Sequence, residues 1–163
     1  MMTQFSGKRV THQYIQSNVA PPAQVFPLLC PVREAEWVPG WEYRLIYSAS
    51  GFAEAGCVFA TPNPDGSETT WVVTEYDSAG FRIGFAWVSA GLVAAQIGIW
   101  LDPDSGEKTT AHISYTYTGL SEAGNRELER HDEKWFEHKM QSWEAAINHY
   151  LRTGKLIEAA TWE

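Results

Sequence analysis

SEAGNRELERHDEKWFEHKMQSWEAAINHYLR, residues 121–152, is the one long run in this chain with a sustained helical period. Leu128, Trp135, Phe136, Met140, Trp143, Ile147, Tyr150 and Leu151 recur at steps of three, four and seven and fall on one side of a 3.6-residue spiral. Glu133, Glu137, Gln141, Glu144 and Asn148 occupy the opposite side. Ser121 or Asn125 can cap the start, and Arg152 followed by Gly154 marks the stop. The period predicts a single amphipathic helix over 121–152. Its large side chains carry at most ~12 to 24 kcal/mol on burial, so the helix needs a matching apolar surface from the rest of the chain.

That surface is predicted upstream. Lys8 to Gln16 alternates as a half-buried strand, with Val10, His12 and Tyr14 on one face. Pro22, Pro27 and Pro31 then allow only two short helical pieces before Pro39-Gly40. From Trp41 onward, extended runs alternate with turn chemistry: EYRLIYS, GCVFAT, TTWVVTEY, FRIGFAWV, LVAAQIGIWL and KTTAHISYTYT. Short, closely spaced runs of this kind make an antiparallel meander. The predicted class is α+β: a seven-stranded antiparallel sheet curved around a long C-terminal helix, with two short helices between strands 1 and 2. A sheet closing imperfectly around one helix leaves a gap beside it, where a pocket forms.

A length of 163 residues suits one domain spanning 1–163. The net charge of −8, without any Lys/Arg cluster, disfavours nonspecific binding to nucleic acid or to an anionic membrane surface, and no nucleic-acid partner is expected. No run approaches the ~20 apolar residues of a membrane span, so integral membrane association is not expected. Cys30 and Cys57 lack CxxC spacing and read as buried free thiols of a cytoplasmic protein. No cofactor motif is present: GxSxG, the Walker loop and a helix-opening GxGxxG are all missing. His131 and His138 lie ~10 Å apart along a helix, too far to share a metal ion bound at ~2 Å, and no metal site is expected. The eight tryptophans are a heavy load for this length and line either a dense core or a cavity for an apolar guest.

The element order resembles the START-like superfamily, also called helix-grip or Bet v 1-like. More narrowly, CPVREAEWVPGW at 30–41, GCVFAT at 56–61, TTWVVTEYD at 69–77, SYTYTGLSEAGN at 114–125 and WEAAINHYL at 143–151 resemble the SRPBCC proteins grouped with polyketide cyclases and dehydrases. The resemblance implies a cavity for an apolar or amphipathic small molecule such as a lipid, sterol, polyketide or aromatic compound. It leaves the reaction open, because members range from carriers to cyclases to co-chaperone domains.

Projected at 100° per residue, Asp132 and Lys139 fall within the apolar stripe, where either can anchor the polar end of a ligand; the alternative is a salt bridge to a strand residue such as Arg44, or a lysine that snorkels out at the rim. Trp71, Phe85, Trp87, Tyr115, Tyr117, Trp135, Phe136, Met140 and Trp143 are candidate walls, and Trp37 and Trp41 flank Pro39-Gly40 at a candidate mouth. Period alone does not separate wall from solid core. His12 and His112 are the candidate acid or base of a cyclase. Three readings follow: a ligand binder, a cyclase or dehydratase acting on an aromatic or polyketide substrate, and an Hsp90-activator-like interaction domain. The last would use strand LVAAQIGIWL, apolar on both faces, as an exposed patch or dimer interface. The chain is expected to be a monomer or a homodimer.

Overall fold

The computed structural model describes residues 4–158. Seven strands form one antiparallel sheet: β1 Arg9–Asn18, β2 Arg44–Tyr47, β3 Val58–Pro62, β4 Glu68–Asp77, β5 Arg82–Ser89, β6 Val93–Asp104 and β7 Lys108–Gly119. Their spatial order is β1-β7-β6-β5-β4-β3-β2, so the last six make a continuous meander and β1 closes its far edge against β7. Crossing from β1 to β2 at the opposite edge, the chain forms α1 Pro22–Val25, a 3-10 turn Phe26–Leu29 and α2 Pro31–Glu34. Each piece has a proline in its first two positions, which explains both its start and its shortness. Val25, Phe26, Leu28 and Leu29 are buried and seal this end of the sheet.

Alternation places the core on one face. In β7, Thr109, Ala111, Ile113, Tyr115 and Tyr117 point inward, while Thr110, His112, Ser114, Thr116 and Thr118 are half-buried on the outer face. Register then sets large against small: Tyr117 faces Ala95 of β6, and Tyr115 faces Ile97 on one side and His12 on the other. A bulge between Val73 and Glu75 of β4 inserts one residue, so Trp71 and Val73 before it and Tyr76 after it all pack against the core. Cys30 and Cys57 are buried free thiols. The outer face of β6 is mixed: Gln96 is exposed, and Trp100 is stacked on His112 at 5.0 Å, with the Arg82 guanidinium 5.8 Å from its ring centroid.

The predicted helix over 121–152 is two helices, α3 Glu122–Arg130 and α4 Glu133–Thr153. The break falls at His131, with ψ 57°, and Asp132, with ψ 179°. Asp132 caps α4: its carboxylate accepts from the Trp135 N–H at 2.8 Å. Its place in the apolar stripe follows from projecting one spiral through a point where the chain starts a new one. The interruption releases the His131 carbonyl, which accepts a 2.7 Å hydrogen bond from His12 Nε2. A carbonyl only accepts, so the His12 proton sits on Nε2. The His12 ring in turn stacks on Phe136 at 5.0 Å.

α4 does more than cover the concave face. Glu144 accepts from Tyr14 Oη at 2.9 Å and from the Ser17 N–H at 2.7 Å. Asn148 accepts from the Val19 N–H at 3.1 Å and donates to the Ser17 carbonyl at 2.9 Å. Both residues belong to the polar side of the spiral, opposite the apolar stripe. They are at the seam because β1 is an edge strand, and its unpaired backbone groups need partners. Burial, followed by the Glu144 hydrogen bond, pushes the Tyr14 hydroxyl up to about 12.

Candidate functional site

Between the sheet and α4 lies a cavity of about 420 Å³. Its roof is one face of α4, at i, i+3, i+4, i+7 and i+8: Trp135, His138, Lys139, Ser142 and Trp143. Its floor is Trp71, Phe85, Ile97, Ile99 and Tyr115, contributed by β4 to β7. One end is closed by Glu34 of α2 with Val38 and Trp41 from the following loop. Two of the four lining indoles, those of Trp41 and Trp71, turn their N–H groups away into bonds with the scaffold. Trp41 Nε1 donates to the Pro31 carbonyl at 2.8 Å and Trp71 Nε1 to Thr61 Oγ1 at 3.0 Å. These two rings therefore offer carbon faces to the space and are held in place while doing so. Behind them Trp71 stacks on Phe59 at 5.2 Å, and Trp143 meets Trp37 edge-on at 4.9 Å.

Two ionisable groups interrupt this apolar lining. Lys139 Nζ sits 5.1 Å from the centroid of Tyr115 and 5.2 Å from that of Trp135. Its side chain is solvent-accessible where it borders the cavity, and partial desolvation draws the ammonium down to about 8. Glu34 is 8% exposed, and burial raises its carboxyl well above the ordinary carboxylate range, favouring the neutral acid. Burial, and then the nearby Glu34, also raises the Tyr115 hydroxyl, which stays protonated at neutral pH. Among the described residues no salt bridge joins Lys139 to a carboxylate. The cavity thus presents one amine, one buried carboxyl and a girdle of aromatic faces.

Of the thirteen residues the sequence nominates, seven line this cavity: Trp41, Trp71, Phe85, Tyr115, Trp135, Lys139 and Trp143. The structure places the other six elsewhere. Trp37 is 0% exposed, with its Nε1 donating to the Leu28 carbonyl at 2.8 Å. Phe136 and Met140 are on the flank of α4 that packs into the solid core, and Tyr117 is buried there with them. Trp87 borders a separate depression with Glu127, His131 and the turn before β4. Asp132 is the exposed cap of α4. The apolar stripe of α4 therefore divides lengthwise, one edge facing the gap and the other filled.

Six lining residues were not nominated: Glu34, Val38, Ile97, Ile99, His138 and Ser142. His138 and Ser142 are detectable as the i+3 and i+7 neighbours of Trp135. Glu34 leaves a fainter trace: Arg33 and Glu36 pair with each other, and Glu34 points the other way. His112 hydrogen-bonds Asp102 at 3.0 Å on the outer face, and His12 is committed to the helix break, so neither borders the cavity. Among the described residues no cluster of three or more His, Cys, Asp or Glu is arranged to hold a metal ion.

The arrangement is that of the START-like, or Bet v 1-like, helix-grip fold. No protein-family model matches the chain, and no curated protein matches it in sequence. Solved structures do match in shape. Ara h 8.0201 is 15% identical with a TM-score of 0.63, covering 90% of this chain and 99% of its own. Norcoclaurine synthase from Thalictrum flavum, solved with dopamine and hydroxybenzaldehyde, is 12% identical with a TM-score of 0.65, covering 95% and 96%. The di-domain ARO/CYC BexL of the BE-7585A biosynthetic pathway is 17% identical with a TM-score of 0.63 over 89% of this chain; the match spans 46% of BexL, about half its length. Among the described residues no helix is long and apolar enough to cross a membrane.

Proposed function

We propose that this protein binds an apolar or amphipathic small molecule, an aromatic, polyketide-like or lipid compound, in the cavity between the sheet and α4, with the polar end of the guest at Lys139. The observation that carries the reading is the cavity: about 420 Å³ of space walled by rigid aromatic faces, with one ammonium inside it. Ligand sites for small molecules typically span ~300–1,000 Å³ and combine a mainly apolar wall with few polar groups. A solid core has no such room, and a solvated cleft has no reason to hold this many rings. Norcoclaurine synthase, solved with two aromatic compounds, and BexL lend the reading support from proteins of similar shape.

A second reading, an enzyme of the cyclase or dehydratase kind, is favoured by one observation: two groups of opposite proton preference, Glu34 and Lys139, border the same cavity. The interaction-domain reading draws no support from β6, where Trp100 on the outer face is half-buried, stacked on His112 and within 5.8 Å of the Arg82 guanidinium.

Calorimetric titration with 2-naphthoate and with 2-naphthol tests the proposal. Both are expected to bind saturably at one site. Lys139→Met should weaken the anion about tenfold, or about 1.4 kcal/mol, and leave the neutral alcohol unchanged. Absence of saturable binding by either compound overturns the ligand-binding reading. Equal weakening of both, or of neither, overturns the role given to Lys139.

A further inference from the structure

Five lysines occur in the chain, and four of them, Lys8, Lys108, Lys134 and Lys155, are at the outer surface. Lys139, though also solvent-accessible, is the one that borders the aromatic cavity, its amine held over two rings, and among the described residues no salt bridge joins it to a carboxylate. That environment alters what the nitrogen can do. A surface lysine with a pKa near 10.4 is unprotonated at pH 7 only to about 0.04%; at about 8 the unprotonated fraction is roughly 10%, a gain of about 250-fold. An unprotonated amine in an aromatic pocket is a nucleophile, and its natural electrophile is a carbonyl carbon.

We propose that Lys139 is a carbonyl-capturing residue, which takes an aldehyde or ketone carried on an aromatic or conjugated body and joins it reversibly as an imine. The proposal rests on the small-molecule reading of the same cavity. In the first step the Nζ lone pair forms a bond to the carbonyl carbon, the C=O π electrons move to oxygen, and a proton passes from nitrogen to that oxygen, giving a carbinolamine. In the second, the hydroxyl leaves as water on receiving a proton. The nitrogen lone pair closes the C=N bond, and a proton returns from nitrogen to the acid. Amine and carbonyl become imine and water, without oxidant or reductant. Glu34, which closes one end of the same cavity and whose carboxyl burial raises well above the ordinary range, is the acid assigned to the dehydration. The rings of Tyr115 and Trp135 flank the nitrogen and select a flat, conjugated guest.

Cinnamaldehyde with sodium cyanoborohydride, followed by intact-mass and peptide mapping at pH 7, tests this. Reduction converts any imine to a stable secondary amine. A single adduct at Lys139 is expected, forming at least on the order of tenfold faster than at any other lysine. Lys139→Arg is expected to lose the adduct, and Glu34→Gln to slow its formation. Labelling spread evenly over the lysines, or an undiminished total in Lys139→Arg, overturns the imine proposal. Failure of 2-naphthol to bind overturns the cavity reading beneath it, so the two failures are separately visible.

Discussion

Trp37→Ala is expected to destabilise the protein by about 3–5 kcal/mol, which for a chain of this length lowers the thermal midpoint by roughly 6–20 °C. Three losses combine in that figure. The indole is 0% exposed, so the change removes a large apolar surface from the core and leaves a void that its neighbours fill only in part. The Leu28 carbonyl, which accepts from Trp37 Nε1 at 2.8 Å, loses its partner. Trp143 loses the edge-on ring 4.9 Å behind it and with it the support that holds its face toward the cavity. Calorimetric or circular-dichroism melting measures the first two losses, and weakened 2-naphthol binding at a temperature where the variant is folded measures the third. A midpoint within 2 °C of wild type, roughly the shift from 1 kcal/mol at most, would mean that Trp37 is not the buttress described here.

Gly124→Ala is expected to destabilise by about 3 kcal/mol, against the usual direction of the exchange. Within a helix, alanine is ordinarily favoured over glycine by about 1 kcal/mol. Here a Cβ would stand 1.7 Å from the Leu92 carbonyl oxygen and 2.8 Å from its carbon, both backbone atoms. α3 sits this close because it is tied there: Ser121 Oγ donates to the Gly91 carbonyl at 2.7 Å, and the Leu120 N–H donates to Leu92 at 2.8 Å. The helix must lift from the β5–β6 turn to admit the methyl group, and those bonds stretch with it. Denaturant unfolding of the variant beside Ala123→Gly, an exposed neighbour where only helix propensity changes, separates the clash from propensity. Stabilisation of Gly124→Ala would show that α3 does not lie against Leu92.

How much of this was legible in the sequence depended on whether a signal was carried by a period. The strands were: Phe81, Ile83, Phe85 and Trp87, like Ile113, Tyr115 and Tyr117, repeat every second residue, and the turns between strands carry Asn-Pro-Asp-Gly or similar chemistry. The division of the C-terminal helix was not, because the apolar steps from Leu128 to Trp135 to Phe136 continue across the break as though nothing happened. The clue was Asp132 itself: a carboxylate that no apolar stripe should contain is well placed as a cap. Glu144 and Asn148 misled in the opposite way, since a polar residue on a helix flank reads as solvated whether it meets water or the edge of β1. The aromatic wall of the cavity was visible in composition. Glu34 was not, because α2 has only four residues, too few to define a face.

The central claim is that the space beside α4 takes up a guest. Native mass spectrometry of the protein purified from its own host measures this most directly. The expected spectrum shows the 18.3 kDa chain with an added non-covalent mass of a few hundred daltons, a small molecule fitting a cavity of this size. That mass is lost on denaturation and displaced by excess 2-naphthol. A spectrum of the bare chain alone, unchanged when 2-naphthol is added, would contradict the account.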